Sequence, residues 1–106
     1  MPSTEYGQER TFATRGQPRE MMSEVRSIEG RQYELLFGSD VIRDGVFLEL
    51  SELADGVRDV MAEAFFYDEL GYVVFNAYRL EIPYPLLMWL YEAVLKEGWP
   101  LDATKP

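Results

Sequence analysis

The carboxylates are the side chains that leave this sequence the most scope for chemistry. The chain of 106 residues has 19 Asp and Glu but no His and no Cys, which excludes a His-based triad, a thiolate nucleophile and Cys-ligated zinc. Neither of the common Gly-rich phosphate-binding motifs occurs, and the only lysines are Lys96 and Lys105. No cofactor or metal site is predicted, and carboxylate chemistry is what remains.

Glu63 is the acid with the least ordinary setting. In the strand register predicted below it lies opposite Asn76, the only asparagine, with Tyr78 nearby. It shares that face with apolar side chains, among them Leu48, Met61 and Phe65. A carboxylate in an apolar row costs free energy unless it is hydrogen-bonded, and we expect its pKa to rise. Glu63 and Asn76 are therefore a candidate polar pocket for a ligand or an acid-base site, the alternative being a solvated or dimer-interface polar pair.

The remaining acidic groups fit turns better than metal sites. Asp40 and Asp44 lack the alternating oxygen ligands of a calcium loop, and the pairs Asp55 with Asp59 and Asp68 with Glu69 have the spacing of turn or rim residues.

Charge is distributed unevenly along the chain. Residues 1–31 hold five acids and five arginines, so the other 14 of 19 acids and five of ten bases account for the net charge of −9. Such a surface repels nucleic acid and anionic lipid, because phosphate binding needs Lys and Arg. We therefore expect neither as a partner, whereas a basic protein is compatible with the acidic face.

Residues 31–106 have the pattern of a single α+β domain. Asp44-Gly45 and Asp55-Gly56 favour tight hairpin turns, and residues 68–71 favour a longer one. The segments between them predict a four-stranded antiparallel meander over residues 33–42, 46–53, 57–67 and 72–82. Gly38-Ser39 suggests a bulge. Residues 53–67 also show helical spacing, so the strand there has a helical alternative.

Residues 1–30 have the composition of a flexible N-terminal extension, rich in polar residues, Gly and Pro. Within it, residues 18–29 can form a short helix, with Pro18 in its first turn and Gly30 after its end.

The last predicted element, a helix between Pro85 and Gly98, is apolar over an arc of roughly 220°, about twice what packing on one sheet requires. Both faces of the predicted sheet are also apolar, and one strong helix covers only one of them. The apolar surface left uncovered on the helix and the sheet predicts an interface with another protein. A homodimer is the expected partner, because two-fold homodimers are the most common oligomers. The candidate interface residues are Met88, Trp89, Tyr91 and Leu95 on the helix and Tyr67, Tyr72 and Tyr78 on the sheet.

A small acidic antiparallel sheet with one C-terminal helix is similar in outline to various bacterial immunity and inhibitor proteins, which implies a basic toxin or nuclease as partner. The sequence lacks the order of a signal peptide, and no apolar run approaches the ~20 residues of a spanning helix, so a cytoplasmic location without membrane contact is expected. The expected function is non-catalytic protein–protein contact, most simply as a homodimer. The alternative is a small-molecule-binding or carboxylate-dependent enzyme domain that uses Glu63, Asn76 and Tyr78.

Overall fold

The computed structural model describes residues 10–13 and 21–102, which form one antiparallel sheet followed by one helix. The strands run in sequence order across the sheet, each paired with the next along the chain. The elements are β1 (Arg10–Ala13), β2 (Met21–Ile28), β3 (Arg31–Asp40), β4 (Gly45–Ala54), β5 (Val57–Tyr67), β6 (Val73–Ala77) and α1 (Tyr84–Glu97). The predicted α+β class and antiparallel meander are confirmed, although the described residues form six strands and not four.

The predicted N-terminal helix is wrong where the structure describes it, because Met21–Ile28 is strand β2. Glu29 and Gly30 have φ values of 52° and 81°, and Ile28 pairs with Arg31 across this two-residue turn. A glycine with positive φ suits a helix end and a tight hairpin equally. The other residues of the predicted extension, 1–9 and 14–20, lie outside the described residues.

The ambiguous segment 53–67 is resolved in favour of the strand. Asp55 and Gly56 form the predicted hairpin turn with φ values of 54° and 75°, and β5 continues to Tyr67. The predicted bulge at Gly38-Ser39 is wrong, because these residues pair regularly with β4. The irregularity lies instead on β5, where Leu50 pairs with Ala62 but Ser51 pairs with Val60, so Met61 is the extra residue.

One face of the sheet, called here the helix face, packs against α1 and holds the main core. Its buried side chains include Leu35, Leu48, Leu50, Ala62 and Ala64 from the sheet and Leu86, Trp89, Leu90 and Val94 from the helix. The helix begins after Pro83 and ends at Gly98, whose φ of 77° allows its N–H to donate to the Leu95 carbonyl. The predicted helix bounds are therefore confirmed. Leu48 lies directly opposite Ala64, so its predicted place beside Glu63 is wrong.

The opposite side of the sheet, called here the second face, mixes aromatic and charged residues. Phe65 is fully buried there, stacked with Phe47 and in contact with Tyr67. Glu63 and Glu34 are also buried. The expectation of two apolar faces thus holds only for the helix face, and the second face carries the candidate polar site.

Candidate functional site

Glu63 lies in the middle of β5 and is the centre of a hydrogen-bonded group on the second face. It pairs across the sheet with Asn76 of β6, as the sequence register predicts. Asn76 Nδ2 and the Tyr78 hydroxyl each donate to Glu63 Oε1 at 3.1 Å. The structure therefore brings together the three polar residues predicted to share a site.

Arg43 is the fourth member of this group, and the sequence analysis missed it. Its Nη2 donates to Glu63 Oε2 at 2.7 Å and its Nη1 to Oε1 at 3.3 Å. The guanidinium carbon lies 3.9 Å from the centroid of the Phe65 ring, within cation–π range. Glu63, Arg43, Asn76 and Tyr78 are called here the Glu63 cluster.

The β3–β4 loop positions Arg43. Asp40 Oδ1 accepts the backbone N–H groups of Ile42 and Arg43 at 3.0 and 3.1 Å, which is the hydrogen bonding of an Asx turn. Asp40 Oδ2 also accepts Arg43 Nε at 2.9 Å. The loop ends at Gly45, the first residue of β4, which lies so close to β5 that a Cβ atom there would overlap the Phe66 carbonyl oxygen. The spacing Asp40-x-x-Arg43 was the one sequence signal for this contact.

The ionisation of the Glu63 cluster opposes the predicted acid-base role. Burial acts to raise the pKa of Glu63 and is the largest single influence, but hydrogen bonds from Arg43, Asn76 and Tyr78 together bring that pKa below its ordinary value. The expected rise in pKa is therefore not found. The hydrogen bond to Glu63 raises the pKa of Arg43 against the opposing effect of burial. The pKa of Tyr78 is raised by partial desolvation of its hydroxyl and by the negative charge of Glu63. A carboxylate held ionised with both oxygens engaged is suited to structural pairing and poorly suited to donating a proton.

The predicted interface residues of the helix do not share one surface. Trp89 is buried against the sheet, with the Arg26 guanidinium 4.5 Å from its ring centroid, so it is not part of the exposed helix surface. Met88, Tyr91 and Leu95 are exposed by 37%, 47% and 48%.

The predicted interface tyrosines of the sheet are also separated from one another. Tyr67 is half-buried against Phe65 on the second face. Tyr72, at the end of the β5–β6 turn, is half-buried too. Tyr78 is exposed, with its hydroxyl on Glu63. These tyrosines therefore do not extend the exposed helix surface.

An apolar groove of about 560 Å³ lies between α1 and β6. Met88 and Tyr91 line it together with residues that the sequence analysis did not single out. These further lining residues are Ala64, Val73, Val74, Phe75, Tyr84, Leu87, Leu90, Val94 and Leu101. None of the lining residues is charged. Phe75 is half exposed and Tyr84 is 71% exposed, so the groove opens onto a wider apolar surface.

Neither a metal-binding cluster nor a membrane-spanning helix occurs in the part of the chain that the structure describes. Within residues 10–13 and 21–102, no three His, Cys, Asp or Glu side chains are placed to share a metal ion. The only helix of those residues is too short to cross a membrane.

No protein-family model matches the sequence, and no curated protein or solved structure was found to be similar to it.

Proposed function

We propose that this protein is non-catalytic and acts through protein–protein contacts, as a homodimer whose interface is the apolar groove and the exposed side of α1. The observation that carries the proposal is the cluster of exposed apolar side chains around the groove. Its members are Phe75, Tyr84, Met88, Tyr91 and Leu101, with Leu95 one turn farther along α1. Contiguous apolar patches of this kind mark interaction sites.

The exposed apolar area approaches what a standard-sized dimer interface needs. A buried aromatic side chain covers ~150–250 Å², so the exposed parts of Phe75, Tyr84 and Tyr91 amount to about 300 Å². Met88, Leu95 and Leu101 bring the patch towards the roughly 500 Å² of apolar surface that each partner contributes to a standard-sized dimer interface.

Charge is compatible with a two-fold contact at this location. Two copies with a net charge of −9 each repel one another. The groove has no charged lining residue, so contact there adds no like-charge pair between groove residues. Salt screens the repulsion between the remaining charges, and the dimer is therefore expected to tighten as salt is added. A complex with a basic protein would instead weaken.

The Glu63 cluster supports a role without catalysis. The arginine, the amide and the phenol all donate to Glu63, which leaves the carboxylate engaged within the fold. The competing role as an acid-base site needs this carboxyl group to gain and lose a proton near neutral pH, and its lowered pKa works against that.

The test is the mass in solution, measured by light scattering after size exclusion across a range of concentrations and salt. We expect a dimer in the parent, loss of the dimer in Tyr91→Glu, and no loss in Leu70→Glu. Leu70 is the matched control because it is exposed to the same extent, 46% against 47%, but lies in the β5–β6 turn and does not line the groove.

A parent that stays monomeric at every concentration contradicts the homodimer. Equal dissociation by both substitutions contradicts the location of the interface.

A further inference from the structure

Three carboxylates lie near one another on the second face of the sheet, and two of them already form an ion pair with an arginine. Glu34 of β3 accepts Arg58 Nε at 2.7 Å. Glu63 of β5 accepts Arg43 Nη2 at the same distance. Both carboxylates are buried, whereas the two arginine side chains are 46% and 37% exposed and reach them from the rim of the sheet.

The third carboxylate, Glu49, lies on β4 between the strands of the other two. It is directly opposite Glu63 on β5, and its side chain is half-buried. Unlike Glu34 and Glu63, it makes no ion pair or hydrogen bond with any residue in the described part of the chain. The pKa of Glu49 is raised, mainly by burial and next by the negative charge of Glu63. Smaller influences are the charges of Arg58 and Arg43, which lower this pKa, and the charge of Glu34, which raises it. The cross-strand pair of acids is unfavourable while both are charged.

A second, independent feature points to an unfilled polar position beside Glu49. Ser51 lies two residues farther along β4, so its side chain is on the same face, and it pairs directly with Glu34. It is 1% exposed, and its Oγ atom has no hydrogen-bond partner among the described residues. Buried hydroxyl groups are nearly always paired. Among the described residues, this face therefore carries a carboxylate and a hydroxyl without a hydrogen-bond partner, two residues apart on β4.

We propose that the second face binds an arginine side chain of a basic protein partner, whose guanidinium pairs with Glu49. The planar N–H donors of a guanidinium group fit the oxygens of a carboxylate. Within the fold, Arg58 and Arg43 already pair with Glu34 and Glu63 in this way. The added positive charge relieves the repulsion between Glu49 and Glu63. The site lies on the opposite face from the helix and does not depend on the proposed homodimer.

The experiment uses N-acetyl-arginine amide as the probe and follows its titration into the full chain by amide and side-chain carboxyl NMR. N-acetyl-citrulline amide, similar in shape but uncharged, is the ligand control. The protein variants are Glu49→Gln and Glu92→Gln; both remove one negative charge, but Glu92 is exposed on α1. We expect saturable shifts at Glu49 and Ser51 with the arginine probe only. Binding should be at least tenfold weaker in Glu49→Gln and unchanged in Glu92→Gln.

A second readout uses the parent protein alone, so the result does not depend on a variant. The carboxyl pKa of Glu49 should fall when the arginine probe is present, because a bound cation favours the charged form. Shifts spread over all acidic residues and equal in both variants would show charge attraction only and would overturn the proposal, as would the absence of saturable shifts. Tyr91→Glu should leave the titration unchanged, so failure of this site and failure of the dimer are distinguished.

Discussion

Leu50 on the helix face and Phe65 on the second face are both completely buried, yet different chemistry covers them. Leu50 belongs to the apolar cluster that includes Trp89 and Leu90 of α1. Phe65 lies beneath the guanidinium of Arg43, which is itself held by Glu63. The stabilisation from apolar burial does not depend on charge, whereas burial beneath an ion pair depends on both charges being present and paired. The second face should therefore respond to pH and to charge-removing substitutions that the helix face tolerates.

The largest expected effect concerns the helix face. Trp89→Ala should lower the free energy of unfolding by about 3–5 kcal/mol, because it removes a large buried ring. Tyr91→Ala, two residues farther along α1 and half exposed, should cost less than about 1 kcal/mol. Urea unfolding followed by circular dichroism, at a concentration below self-association, measures both. Similar losses for the two would mean that α1 does not pack through Trp89.

A smaller effect is expected from breaking the ion pair on the second face. Arg43→Met leaves Glu63 buried without its cation, which should cost about 2–3 kcal/mol, less than for a fully buried pair because Arg43 is 37% exposed. Adding Glu63→Leu removes the unpaired charge and should return stability to within about 1 kcal/mol of the parent. The same urea titration checks this cycle. A double variant as unstable as Arg43→Met would show that the arginine acts by packing on Phe65 and not by its charge.

The smallest expected effect on stability comes from Glu49, which lies opposite Glu63 across β4 and β5. Burial raises the folded-state pKa of Glu49, so its charge costs stability above that pKa; the cost shrinks as pH falls through it and is gone below the unfolded-state pKa. Glu49→Gln should therefore stabilise the protein by about 0.2–1 kcal/mol at pH 7, and the gain should vanish in acid. Thermal unfolding across the acidic pH range measures the difference.

Glu63 provides the control of opposite sign. Burial alone would raise its pKa, but its hydrogen bonds leave the folded-state pKa lowered. The stability that it contributes is therefore present above its unfolded pKa and is lost as pH falls through the folded-state value. Glu63→Gln should destabilise at neutral pH, and its difference from the parent should shrink in acid. The same pH dependence for both variants would contradict the distinct environments of the two acids.

The sequence was sufficient to predict the Glu63–Asn76 pair but not its charge partner. The β5–β6 turn determines the register of two neighbouring strands, and alternation then brings Glu63 and Asn76 together. Arg43 lies in a loop, and its direction depends on the side chain of Asp40 accepting loop N–H groups. Strand periodicity carries no information about that contact. The missing arginine is also why the pKa of Glu63 was expected to shift in the wrong direction.

The buried side of α1 could not be identified from its sequence for a different reason. An apolar arc of roughly 220° contains more side chains than one sheet can cover. Trp89, predicted to be on the surface, is buried, whereas Tyr84 and Met88 remain exposed. Packing against the sheet decides which part of the arc is used, and periodicity alone does not determine it.

The strand order has a consequence for how the chain folds. Each described strand pairs with the next described strand in sequence, so the sheet from β2 to β6 can grow by successive local hairpins without closing a long loop. Chains whose contacts are local fold faster than chains of the same size with distant pairings. The docking of α1, which comes last in the sequence, brings Trp89 against Arg26 of β2 and so joins distant parts of the chain. Stopped-flow refolding should accordingly show sheet formation by far-ultraviolet circular dichroism no later than the burial of Trp89, and a helix that docks first would contradict this order.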